Sequence, residues 1–161
     1  TEIGYLLDRI KSPVIAGFLL SKINRASDCG HRLTISDASF VPDSGNEDQM
    51  AALITVVGNL VENAIDALRE QTEGEIHVML HYQNGWLACE VSDDGPGIEP
   101  ANLATIFDKG FSTKGENRGV GLFLLKQQTE NLGGGVTVES EPGVFTQFLV
   151  QLPWDGGNQS A

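Results

Sequence analysis

GNLVENAIDAL, residues 58–68, is the stretch on which the reading of this chain turns. From residue 49 to residue 70 the apolar side chains include Met50, Leu53, Ile54, Val57, Leu60, Val61, Ala64, Ile65 and Leu68. That i, i+3, i+4, i+7 recurrence predicts an amphipathic helix with its apolar stripe toward a core. At about 100° per residue, Asn59, Asn63 and Asp66 fall together on a narrow stripe nearly opposite the centre of the apolar face. A plain solvated face would carry Lys, Glu or Gln. Asn is a poor helix former because its amide competes for nearby backbone groups. Two asparagines one turn apart, with an Asp below them, read as groups placed for a ligand. Amide oxygens beside a carboxylate suit a hard cation such as Mg2+.

Toward the N-terminus, residues 40–48 form a polar loop with Pro42 and Gly45, and residues 31–36 alternate weakly as a short strand. Residues 2–28 read as mostly helical. Ser12-Pro13 supplies an N-cap and first helical residue, and Gly30 a stop. This segment is either a packing helix of the same domain or half of an interdomain or dimer helix pair. Toward the C-terminus, residues 75–81 alternate with Ile76, Val78 and Leu80 inward. Asn84-Gly85 predicts a hairpin turn, and residues 86–91 return with Leu87, Cys89 and Val91 on one face. Residues 95–119 are glycine-rich and aperiodic. A second helix is expected over 120–131 and a second strand pair over 133–140 and 144–152, with a polar tail frayed from Trp154. Helices and hairpins in this order predict an α+β fold, a two-layer α/β sandwich with helices over one face of a mixed, mainly antiparallel sheet.

A chain of 161 residues with 40% hydrophobic content is sized for one domain with a real core. Its net charge of −12 disfavours nucleic acid or an anionic membrane as a bulk-charge partner. It leaves open a nucleotide, which needs only local donors. Cys29 and Cys89 match no metal spacing and read as free thiols in a reducing compartment. No uninterrupted apolar run approaches the ~18 residues of a membrane span, and no signal peptide is visible. The first residue is Thr1 rather than Met, which leaves room for a longer parent protein.

Three further segments carry chemistry. Asp93-Asp94-Gly95-Pro96-Gly97-Ile98 closes the central hairpin. Its pattern is an ordinary turn signature, but a carboxylate at a strand end also accepts the exocyclic amine of adenine, and glycines let backbone approach a base closely. GENRGVGL at 115–122 runs into a helix; such a loop offers backbone N–H groups and a positive dipole end to phosphate. Lys114 and Arg118 add positive charge there. Between the two glycine clusters, Phe107 and Phe111 are either core anchors or anchors of a lid folding over a nucleotide.

Taken together and in this order, these blocks resemble the GHKL superfamily of gyrase B, Hsp90, MutL and the sensor histidine kinases, over roughly residues 30–152. Within it they look like the N, G1, F and G2 boxes of histidine kinases. KSPVIAGFLLSKINRAS, at 11–27, is similar to the region preceding the ATPase-like domain of citrate and C4-dicarboxylate sensor kinases. The resemblance implies a Bergerat ATP-binding fold over 30–154, with 1–29 as the end of a helical dimerisation and phosphoacceptor region and 155–161 as a disordered tail. It implies ATP and Mg2+ as cofactors, with Asn63 on the metal and Asn59 where the ATP-hydrolysing members carry a glutamate base. Asp93 then reads adenine, Gly95, Gly97 and Ile98 shape its pocket, and Phe107 and Lys109 belong to the F box. Gly119, Val120, Gly121 and Leu122 lie near the phosphates with Lys114 and Arg118. Asp66 sits where many sensor kinases have a basic residue, and RGVGL lacks the fuller glycine run of many kinases.

The implied activity is that of a protein-histidine kinase passing the ATP γ-phosphoryl to a histidine on a dimerisation domain outside this chain. The implied partners are that domain, a second copy of the parent through its helical region, and a response regulator, but no nucleic acid and no direct membrane contact. The implied location is the cytoplasmic side of an inner-membrane sensor. His31, His77 and His81 fall in or beside strands, so this chain is expected to bind ATP without phosphorylating itself. The competing readings are an ATP-hydrolysing clamp like gyrase B or MutL, with Glu62 (about 60° around the helix from Asn59) as a substitute base, and a non-catalytic nucleotide-binding module.

Overall fold

The computed structural model describes residues 2–108 and 118–156. The asparagine-bearing helix is α3, and it spans Glu47–Ala67. It follows α1 (Glu2–Arg9), α2 (Pro13–Asp28) and β1 (Arg32–Ile35). After it come β2 (Glu75–Gln83), β3 (Trp86–Asp93), the four-residue α4 (Pro100–Leu103), α5 (Arg118–Asn131), β4 (Gly135–Glu141) and β5 (Phe145–Pro153). α3 starts where Asn46 Oδ1 accepts from the Gln49 N–H at 3.0 Å, with Glu47 and Asp48 complementing the dipole. It stops at Ala67, three residues earlier than the periodicity suggests, because Leu68 caps it and Arg69-Glu70 turn away. By length and composition α3 is apolar enough to cross a membrane, but Leu53, Val57, Leu60 and Val61 bury it in the core.

The strands form one five-stranded sheet in the order β1-β2-β3-β5-β4, with β1 parallel to β2 and every other pair antiparallel. The β2–β3 hairpin turns at Asn84 and Gly85, with φ +52° and +86°, the left-handed pair that a two-residue turn of this hand requires. Ile76, Val78 and Leu80, with Leu87, Cys89 and Val91, then fill the inner face. Phe148, Val150 and Leu152 of β5 complete it, and α3 lies across them. The opposite face carries His77, Met79, Glu90 and Gln151 toward solvent. The two-layer expectation is met.

Two features concern the ends. Leu6, Ile10, Ile15 and Leu19 belong to the same buried cluster as α3 and the sheet, so packing continues across the boundary expected at residues 29 and 30. α2 is capped as read, with Ser12 Oγ accepting from the Ile15 N–H at 3.3 Å and Pro13 following. The tail is held through Gly156 rather than frayed from Trp154. The Trp154 ring is 1% exposed, and its Nε1–H donates to Pro42 O at 2.9 Å. The Asp155 N–H donates to Gln49 Oε1 at 2.7 Å. Of the tail expected over 155–161, residues 157–161 lie outside the described residues.

Candidate functional site

Between α3, the ends of β3 and β5, and the start of α5 lies a cavity of about 370 Å3. That is the size range of small-molecule sites. Asn63 and Asp66 line it from α3, Asp93 from the last residue of β3, Gly97 and Ile98 from the turn that follows, and Leu122 from α5. Six sequence-predicted residues, from three separate stretches of the chain, therefore meet around one space.

The base of the cavity is built by strand register. Asp93 pairs directly with Thr146 of β5, and both are buried. Asp93 Oδ1 accepts the Gly95 N–H at 2.9 Å. Gly95 itself sits under the wall: a Cβ there would lie 2.7 Å from Asp93 Oδ1 and 3.3 Å from the Cβ of Ala67. Gly97 has φ +76°, and a Cβ on it would reach within 2.5 Å of Glu141 O. The turn is tied to the β4–β5 hairpin by two bonds, Gly143 N–H to Pro96 O at 2.6 Å and Ile98 N–H to Ser140 Oγ at 2.7 Å. Ser140 passes the contact on, donating to Phe145 O at 2.8 Å and lying 3.2 Å from Thr146 Oγ1.

The remaining predicted residues fall elsewhere. Asn59 is half-buried one turn before Asn63 and is not among the lining residues. Glu62, the substitute base of the clamp reading, is not among the lining residues. Its carboxylate takes Arg25 Nε and the second guanidinium nitrogen, both at 3.1 Å, and lies 3.7 Å from Lys22 Nζ. The hydrogen bond to Glu62, and then its charge, push Arg25 above its ordinary pKa. Phe107, half-buried against the core, is not among the lining residues; it meets Phe148 edge-on at 6.2 Å, with Lys126 over its ring. Arg118, Gly119 and Val120 form the first turn of α5, and Gly121 continues it beside Leu122. Lys109, Phe111 and Lys114 lie outside the described residues, Phe111 being the second of the two aromatics read as core or lid anchors.

Sequence reading missed the far wall. Thr146 and Phe148 come from β5, Glu99 and Asn102 from around α4, and Arg69 and Glu70 from just past α3. Thr146 was findable only by aligning β5 against β3. The charged lining among the described residues is Asp66, Glu70, Asp93 and Glu99 against Arg69. The three histidines are engaged locally: His31 Nδ1 accepts the Gly74 N–H at 3.0 Å, His77 meets Thr34 Oγ1, and His81 meets Ala38 O. Both cysteines are free; Cys29 is exposed, and burial pushes the Cys89 thiol far up.

Residues 48–156 match the family described as histidine kinase-, DNA gyrase B-, and HSP90-like ATPase, and the chain belongs to it. It is 67% identical over 155 residues to the sensor histidine kinase DcuS of Escherichia coli (strain K12), covering 96% of this chain and 28% of that protein. It is 33% identical over 153 residues to a probable C4-dicarboxylate sensor kinase of Halalkalibacterium halodurans, covering 93% of this chain and 29% of that protein. The chain thus spans under a third of these relatives. Among solved structures, full-length ShkA in complex with AMPPNP superposes with a TM-score of 0.72 at 23% identity, covering 94% of this chain and 30% of that one. This likeness confirms the fold.

Proposed function

We propose that the cavity holds ATP with Mg2+ and that the chain is the catalytic domain of a sensor histidine kinase, its longer parent being of the C4-dicarboxylate sensing type. The observation that carries the reading is the convergence of Asn63, Asp93 and Gly97 on one cavity. Asp93, buried at a strand end, presents a carboxylate to an exocyclic amine, and Gly97 keeps the wall free of side chains where a flat base would enter. Asn63 and Asp66 offer oxygen donors on the same wall, the donor type that Mg2+ takes. Among the described residues the lining is acidic on balance, so a divalent cation beside a polyphosphate favours its entry. Bound Mg2+ supplies charge neutralisation on the phosphates, and the chain supplies positioning.

In this reading the γ-phosphoryl goes to a histidine on a helical dimerisation domain of the parent, and onward to a response regulator. The local engagement of His31, His77 and His81 supports an acceptor outside this chain. Residues 1–29 belong to the end of the helical region, docked on the catalytic domain. The parent pairs through that region and places this domain on the cytoplasmic side of a membrane. The ion pairs that hold Glu62 on α2, with an amide at Asn59, weigh against an ATP-hydrolysing clamp. Calorimetric titration with Mg-AMPPNP tests the site: saturable binding that falls when Mg2+ is chelated is expected. No binding by the parent chain, or full binding by both Asp93→Asn and Asn63→Ala, refutes it.

A further inference from the structure

We propose that α2 is a docked control element for the nucleotide site and that Glu62 is the positioning residue through which it acts; this rests on the ATP-site reading above. α2 turns one face toward α3, made of Phe18, Lys22 and Arg25 at i, i+4 and i+7. α3 answers with Gly58 and Glu62 at i and i+4, on the turn that carries Asn59 and Asn63. The Phe18 ring packs over Gly58, where a Cβ would lie 3.5 Å from its Cζ. Lys22 Nζ sits 5.4 Å from the Phe18 centroid and 3.7 Å from the Glu62 carboxylate. Arg25 closes the contact with two 3.1 Å bonds to the two Glu62 oxygens. α2 lies outside the family-matched residues 48–156.

The contact is suited to switching. The side chains of Lys22, Arg25 and Glu62 are 20%, 50% and 31% exposed. Ion pairs this wet add little stability and are screened by salt. Their effect is local and electrostatic. Glu62 is bonded to Asn63, on the wall of a cavity already lined by Asp66, Glu70, Asp93 and Glu99. With α2 docked, two cations meet the Glu62 charge and hold the carboxylate toward α2. With α2 displaced, that carboxylate is released beside a site that must accept a polyphosphate. Docking and nucleotide binding therefore favour each other, and linkage makes the effect reciprocal: nucleotide also holds α2 down.

The test uses the whole 161-residue chain, with Mg-AMPPNP as the probe. Removing the cation but not the carboxylate, in Arg25→Gln, weakens binding by about three- to tenfold at low salt, and added salt narrows the gap. Removing the carboxylate as well, in the double variant Arg25→Gln with Glu62→Gln, returns affinity to within about twofold of the parent chain. A merely structural contact gives no such rescue. Hydrogen exchange gives the reciprocal readout: Mg-AMPPNP slows exchange across α2 in the parent chain and not in the double variant. Thermal unfolding of each variant confirms folding. An Arg25→Gln affinity unchanged from the parent, a double variant no tighter than the single, or α2 exchange indifferent to nucleotide overturns the coupling alone. A parent chain that binds no Mg-AMPPNP overturns the ATP site and the coupling together.

Discussion

Replacing one glycine by alanine is predicted to have opposite effects at Gly97 and at Gly58, and the structure sets both magnitudes. At Gly97 the backbone has φ +76°, a conformation that costs an L side chain about 1–2 kcal/mol. The new Cβ would also stand 2.5 Å from Glu141 O and 2.9 Å from both Glu141 C and Pro142 Cα. These are backbone atoms that no side-chain rotation can clear, so relief means moving the β4–β5 turn, a further ~1–3 kcal/mol on the scale of overpacking. The sum is about 2–5 kcal/mol, which in a chain this long lowers the unfolding midpoint by roughly 4–20 °C. The same shift pulls Ile98 off Ser140 and deforms the cavity wall. Gly58 sits in the interior of α3, and its new Cβ would find Phe18 Cζ at 3.5 Å, ordinary contact. Alanine there gains about 0.5–1 kcal/mol of helix preference, worth roughly 1–4 °C. Scanning calorimetry on the two variants decides the matter. A Gly97→Ala midpoint within roughly 2 °C of the parent chain, or a Gly58→Ala midpoint that falls as far as that of Gly97→Ala, refutes the reasoning.

Asp93→Asn keeps the shape of a buried side chain but removes its charge, and should weaken adenine nucleotide binding by about 1–3 kcal/mol, measured by calorimetric titration. Trp154→Ala empties a fully buried site and deletes the bond to Pro42 O, so denaturant unfolding should report a loss of about 3–5 kcal/mol; a change under about 1 kcal/mol would mean that the C-terminal segment is not anchored there. A thiol-reactive chromogen near neutral pH should titrate Cys29 alone in the folded chain, and Cys89 only after denaturation, because burial holds the Cys89 thiol protonated.

Local chemistry wrote much of this architecture into the sequence. Asn84-Gly85 fixes a hairpin whatever surrounds it, and the alternation on either side fixes which face is buried. The α3 periodicity spans many turns and cannot be mistaken for a strand. α4 escaped notice because four residues carry no period. At the site, Asp93 and Gly97 were legible because a turn imposes its residue types. Thr146 and Phe148 were not, since their relevance depends on which strand β5 joins, and no nearby residue records that. The engagement of Glu62 with α2 was not legible for the same reason. Its partners lie 37 and 40 positions earlier in the sequence, at Arg25 and Lys22, so helix geometry alone gave it a direction but no neighbours. The anchoring of Trp154 likewise rests on Pro42, which reads in isolation as a loop residue.

The Asp93–Thr146 pairing has a consequence for synthesis. A ribosome delivers the asparagine helix and the DDGPGI turn long before it delivers β5, yet Thr146 and Phe148 supply part of the floor. A nascent chain lacking them holds half a pocket, its central strand bare along one edge. Non-local strand closure of this kind is slow and comes last. A complete cavity is therefore a property of the finished polypeptide, and a premature stop anywhere before residue 146 leaves it without the β5 side of its lining, whatever helices have already formed.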